Sequence, residues 1–82
     1  MNVYLSQNAK KQHHGLPKIQ QKKIKKKLEL LATDPTSGKK LGGEFAGQRS
    51  LKAWPYRILY LIDKKDNAVY VISILHRQGA YK

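Results

Sequence analysis

His76, Arg77, Tyr81 and Lys82 place an imidazole, a guanidinium, a phenol and an ammonium in one short stretch of the 82-residue chain. A second guanidinium, Arg57, begins a face shared with Leu59 and Leu61, while Tyr56, Ile58, Tyr60 and Ile62 share the other. An arginine on an otherwise apolar face is costly unless its head reaches solvent or an anion. These groups suit phosphodiester cleavage on RNA. Attack by the neighbouring 2′-OH needs a proton acceptor, cations for the developing phosphorane charge, and an acid for the leaving 5′-oxygen. Histidine is the natural proton-transfer side chain near neutrality, which makes His76 a candidate. Arg57 and Arg77 can clamp phosphate oxygens through planar forks. Tyr81 offers a proton or a stacking face for an unpaired base. The same residues admit structural roles: Arg57 paired with Asp63, Asp66 or Glu44, Tyr81 lidding the core, His76 resting half-buried at a strand end. No metal or other cofactor is expected, because the five acids and three histidines show no ligand spacing. His13 and His14 read as solvated surface.

The chain carries 17 Lys+Arg against 5 Asp+Glu, a formal charge of +12. Solubility of a small domain needs a net charge of only about 2–8, so the excess points to a polyanionic partner. Lys22, Lys23, Lys25, Lys26 and Lys27, with Arg49 and Lys52, are the candidates for contact with RNA phosphates. The absence of cysteine excludes a disulfide scaffold, a thiolate zinc site and a cysteine nucleophile. Apolar stretches are too short for a bilayer, which takes roughly 20 residues per helix, and nothing reads as a signal peptide. A cytoplasmic protein with no membrane partner is expected.

The elements that must position these residues fit a single α+β domain over residues 1–82, two helices packed on an antiparallel sheet in the order β-α-α-β-β-β. Asn2–Leu5 reads as a short strand closed by Ser6, a helix N-cap residue. Residues 7–14 allow a short helix with almost no apolar stripe. Gly15 breaks the chain and Pro17 suits a first helical position. Ile24, Leu28 and Leu31 then recur at i, i+4, i+7, flanked by Ile19 and Leu30, marking an amphipathic helix that Pro35 ends at Asp34. Residues 34–43 are a loop by composition. Strands follow at Gln48–Ala53, Tyr56–Ile62 and Ala68–Leu75, with a break at Pro55 and a hairpin turn over 63–67. By spacing alone this is a basic nucleic-acid-binding domain.

Leu41-x-Gly43, Arg49-Ser-Leu-Lys52, Tyr56-Arg57-Ile-Leu-Tyr60 and Ile74-Leu-His76-Arg77-x-x-x-Tyr81 together resemble the RelE/ParE family of bacterial and archaeal toxins, in its RelE-type, mRNA-cleaving branch. The resemblance spans nearly the whole chain, the Asp34-Pro35 helix end included. It implies a toxin that cuts mRNA in the ribosomal A site without metal, held inactive by a cognate acidic antitoxin. By the same resemblance Arg57 stabilises transition-state charge, Arg77 protonates or stabilises the leaving group, and Tyr81 stacks on a substrate base. His76 matches a histidine that is catalytic in some members and structural in others. Where the best-known branch has two lysines, this chain has Gln48 and Ser50. His76, Lys52 and Arg49 therefore compete for the role of general base, Arg49 last because arginine does not deprotonate. Two other functions compete with the nuclease: a ParE-like toxin acting on gyrase, and a non-catalytic ribosome- or RNA-binding module.

Overall fold

The computed structural model describes residues 1–76, so Arg77 and Tyr81 lie outside the described residues. Strand β1 (Asn2–Leu5) turns Val3 and Leu5 toward the core and Tyr4 outward. Ser6 caps α1 (Gln7–His14), its Oγ accepting the Ala9 N–H at 3.0 Å. Only Ala9 of this helix is buried. Polar side chains hold it instead. Ser6 Oγ donates to the Ile72 carbonyl at 2.7 Å, Asn8 Nδ2 to Ser73 Oγ at 3.3 Å, and Gln12 Oε1 accepts the Ile74 N–H at 2.7 Å. The Gln21 amide crosses to the His14 and Leu16 carbonyls at 3.1 and 3.0 Å, fastening the turn between the helices. His13 Nε2 meets the Gln21 carbonyl at 3.3 Å, a structural contact.

The long helix α2 (Lys18–Thr33) buries Ile24 and Leu31 completely, with Leu28 against the core. Ile19 lies off the stripe and is 79% exposed. Pro17 sits at the cap position one residue before the helix, and Asp34 closes the other end before Pro35. The expected loop 34–43 contains a 3₁₀ turn at Pro35–Ser37 and a two-residue strand, β2 (Lys39–Lys40). After a second 3₁₀ turn come β3 (Arg49–Ala53), β4 (Tyr56–Asp63) and β5 (Ala68–His76). Pro55 occupies the tight turn between β3 and β4, where its missing N–H disturbs no ladder.

The five strands form one sheet in the order β1-β5-β4-β3-β2. Its character differs from the expected all-antiparallel one, because β1 runs parallel to β5, Val3 opposite Val69 and Leu5 opposite Val71. Both helices and three strands intervene between β1 and β5, long enough for the crossover that a parallel pair requires. Side-chain alternation is the same in both orientations, so a strand pattern by itself does not carry strand direction. The remaining pairs are antiparallel, with a bulge between Leu59 and Tyr60 where Ile72 stands unmatched on β5. Ile58, Tyr60, Leu51, Val71 and Ile74 join Ile24 and Leu31 in the core between sheet and helices.

Candidate nucleic-acid interface

Residues directly opposite in an antiparallel ladder share a face. Ile58 and Leu51 face the helices, so their neighbours in sequence, Arg57 and Lys52, face the other way. The ladder sets Arg57 against Lys52, with Leu75 beyond Arg57 on β5 and Ser50 two residues from Lys52 on the same side. On the edge strand, Lys39 stands opposite Ser50. The result is a groove of roughly 450 Å³ walled by Ser37, Lys39, Leu41, Ser50, Lys52 and Arg57. Among the described residues three cations line it and no carboxylate does. All five acids lie elsewhere: Glu29 on α2, Asp34 at its end, Glu44 in the second 3₁₀ turn, Asp63 and Asp66 in the β4–β5 hairpin. A Lys–Arg pair held directly opposite costs a few tenths to about 1 kcal/mol relative to a neutral pair. An anion between the two heads reverses the sign of that interaction.

The other residues singled out from the sequence fall in three places. His76 stands opposite Tyr56, which puts the pair on the helix-side face, and the two rings meet edge to face with centroids 5.4 Å apart. The register does not bring His76 together with Arg57. Arg49 is opposite Tyr60 on that same helix-side face, and its guanidinium donates to the Gly38 carbonyl at 2.9 Å and the Thr36 carbonyl at 3.4 Å. Lys22, Lys25 and Lys26 are exposed on the outer side of α2, with the helix and the core between them and the groove. Lys27 is half-buried, and Lys23 Nζ donates to the Trp54 carbonyl at 2.8 Å, tying α2 to the β3–β4 turn. Among the described residues, basic side chains thus stand on both sides of the sheet.

Two groove residues carried no signal in the sequence beyond their charge or polarity. Lys39 and Ser37 lie in the stretch read as loop, and the short pairing of β2 with β3 sets Lys39 beside the groove with Ser37 just ahead of it. Behind this wall, Tyr60 is fully buried. Its hydroxyl accepts the Gly38 N–H at 2.9 Å and donates to the Pro35 carbonyl at 2.7 Å. Burial pushes its phenol above the ordinary value of 10.0, against the opposing pull of the Gly38 hydrogen bond. Among the described residues no three His, Asp or Glu side chains stand close enough to hold a metal ion, and no helix is long and apolar enough to cross a membrane.

A family model described as the ParE toxin of type II toxin–antitoxin system parDE matches residues 3–81. Among solved structures, the RelBE2 toxin–antitoxin complex of Mycobacterium tuberculosis is 29% identical over 93% of this chain and 96% of that one, with a TM-score of 0.86. The isolated Escherichia coli RelE toxin superposes with a TM-score of 0.77 at 23% identity, covering 92% of this chain and 82% of its own. The archaeal RelE–RelB complex of Pyrococcus horikoshii gives 0.81 at 21% identity, covering 96% and 97%. These last two are likenesses of fold. A comparison with curated proteins found no match. With the family model reaching across nearly the whole sequence and a TM-score of 0.86 to the RelBE2 structure, the chain belongs to the ParE toxin family of type II toxin–antitoxin systems.

Proposed function

We propose that this toxin is a one-domain, ribosome-dependent endoribonuclease that cuts mRNA by 2′-OH attack and so stops translation, with its chemistry in the groove between Arg57 and Lys52. The observation that carries the reading is the like-charged Lys52–Arg57 pair, opposite in register inside a groove that no acid lines among the described residues. Opposed Cβ atoms in such a ladder stand about 4.5–5.5 Å apart, a spacing that one phosphate bridges. Arg57 offers a planar fork to the non-bridging oxygens and so favours the more highly charged phosphorane over the ground state. Of the three candidates for accepting the 2′-OH proton, Lys52 alone shares the face of Arg57; it takes that proton as the free amine, and the ammonium so formed completes the charge pair as the phosphorane develops. Lys39 closes the far wall and adds charge where the strand of RNA enters. Arg77 on the leaving oxygen and Tyr81 on a base complete the site in this reading, and His76 acts from behind the sheet. Side chains alone supply the chemistry. The exposed lysines of α2, Lys22, Lys25 and Lys26, hold ribosomal RNA phosphates on the opposite side, which suits a cytoplasmic toxin working on a large polyanion.

The partner that restrains it is an acidic antitoxin. The M. tuberculosis relative is named as a toxin–antitoxin complex and the P. horikoshii one as a RelE–RelB complex, and a +12 chain gains both encounter rate and register from a complementary charge. Gyrase inhibition is the second reading, favoured by the description of the matching family model and by Gln48 and Ser50 where the RelE-type branch has lysines. Primer extension on mRNA in a translating extract separates the two. Discrete cuts within ribosome-covered codons, absent without ribosomes, support the nuclease. Intact mRNA with inhibited DNA supercoiling supports the gyrase reading.

A further inference from the structure

The wall of the groove that carries Ser37 and Lys39 has little ladder to hold it, since β2 is two residues long. Gly38, between those two residues, has both of its backbone polar groups taken by side chains from the sheet. Its N–H goes to the Tyr60 hydroxyl at 2.9 Å and its carbonyl to Arg49 at 2.9 Å. The same two side chains reach further along the segment, Tyr60 to the Pro35 carbonyl at 2.7 Å and Arg49 to the Thr36 carbonyl at 3.4 Å. Tyr60 and Arg49 are themselves cross-strand partners on the face away from the groove. The fit is close enough to require glycine: a Cβ at position 38 would stand 2.4 Å from the Tyr60 hydroxyl and 3.0 Å from the Ser50 carbonyl oxygen.

From this clamp we infer that Tyr60 and Arg49 are positioning residues for RNA binding, fixing Ser37 and Lys39 across the groove from Lys52 and Arg57 without touching RNA themselves. The inference rests on the reading of the groove as the RNA site. Burial of Tyr60 in the core gives the clamp a rigid base, and a rigid wall avoids the ordering cost of closing a mobile loop on each RNA strand. The lysine at position 39 then meets its phosphate with less entropy lost. Arg49, a guanidinium bound twice to backbone, spends its fork on the protein.

The test is a double-mutant cycle on the affinity of a labelled, non-cleavable 2′-O-methyl oligoribonucleotide. It uses the full chain and the variants Tyr60→Phe, Lys39→Gln and both together. Lys39→Gln is expected to weaken binding by about three- to tenfold, the loss of one phosphate contact. Tyr60→Phe keeps the ring and the charge, and should weaken binding to a similar degree. In the Lys39→Gln background it should add less than about twofold, because its route of action is gone. Independent, multiplying effects overturn the inference, as does a Tyr60→Phe chain that binds like the wild type while Lys39→Gln does not. Should Tyr60→Phe fail to fold, Arg49→Lys, which keeps the charge and loses the planar fork, takes its place in the cycle. If both Lys39→Gln and Lys52→Gln bind like the wild type, the groove is not the RNA site and the functional reading falls with the inference.

Discussion

A methyl group at position 38 puts a number on the clamp. Gly38 has φ −82° and ψ 156°, a conformation alanine adopts freely, so the substitution Gly38→Ala tests contact and not backbone strain. The stiffer alanine even favours folding by about 0.4–1 kcal/mol through the unfolded chain. Against that, the new Cβ meets the Tyr60 hydroxyl at 2.4 Å and Tyr60 Cε1 at 2.8 Å. Tyr60 is fully buried and cannot swing aside, and the Ser50 carbonyl at 3.0 Å belongs to the ladder. The segment must back away, losing the Gly38–Tyr60 hydrogen bond and stretching that of Arg49. Overpacking costs about 1–3 kcal/mol, and leaving buried partners unmet about 1–3 kcal/mol more. The net is roughly 2–4 kcal/mol, which at about 4–8 °C per kcal/mol for a domain of this size lowers Tm by roughly 8–32 °C. Thermal melting followed by circular dichroism reads it. Gly42→Ala is the control, since nothing lies within 4 Å of its Cβ, and its Tm should stay within about 3 °C of the wild type. In a Tyr60→Phe background the nearest contact disappears, so the Gly38→Ala penalty should fall by at least half. A Tm loss under about 3 °C for Gly38→Ala, or an equal penalty with and without the hydroxyl, refutes the reasoning.

The other expectations concern the lysines of α2, His76 and pH. Changing Lys22, Lys25 and Lys26 together to Gln should weaken ribosome binding and flatten its salt slope by about one unit or less per lost contact, without altering the rate of a bound complex. Stopped binding at several salt concentrations measures this. His76→Gln should lower single-turnover cleavage by less than about tenfold and leave its pH profile in place, because the ring sits against Tyr56 on the face away from Arg57. A loss near 10³-fold with a displaced profile would return the proton transfer to His76. Tyr60 has its folded pKa raised by burial, so the stability it lends is complete below the unfolded value of 10.0 and is lost as pH rises from there through the folded value. Urea midpoints between pH 8 and 11 should fall more steeply for the wild type than for Tyr60→Phe.

Much of the scaffold was legible because burial and period coincide in it. Ile24, Leu28 and Leu31 announce α2, and Pro35 and Pro55 mark boundaries that the structure keeps within a residue. The first helix gave almost no signal for a physical reason: it buries one alanine and is held by Ser6 and Gln12 on the backbone and Asn8 on the Ser73 hydroxyl around the β5 bulge. Arg57 was found because a guanidinium among leucines is conspicuous on either face. Its partner was harder to see. Pairing Lys52 with Arg57, and separating both from Arg49 and His76, depends on register, and residues 49 and 50 exchange faces with a slip of one. Lys39 was hidden in a loop composition, and nothing in a single sequence links Tyr60 to Gly38 across the turns between them.

The central claim is that Arg57 stabilises the transition state of RNA cleavage in the groove it shares with Lys52. Single-turnover cleavage of mRNA on programmed ribosomes, with ribosome affinity measured beside it, tests this most directly. Arg57→Ala should cut roughly 10²–10³-fold more slowly while binding ribosomes within about twofold of the wild type, since the lost interaction matters chiefly in the transition state. Cleavage by Arg57→Ala at the wild-type rate, or no cleavage by the wild type on programmed ribosomes, would contradict it.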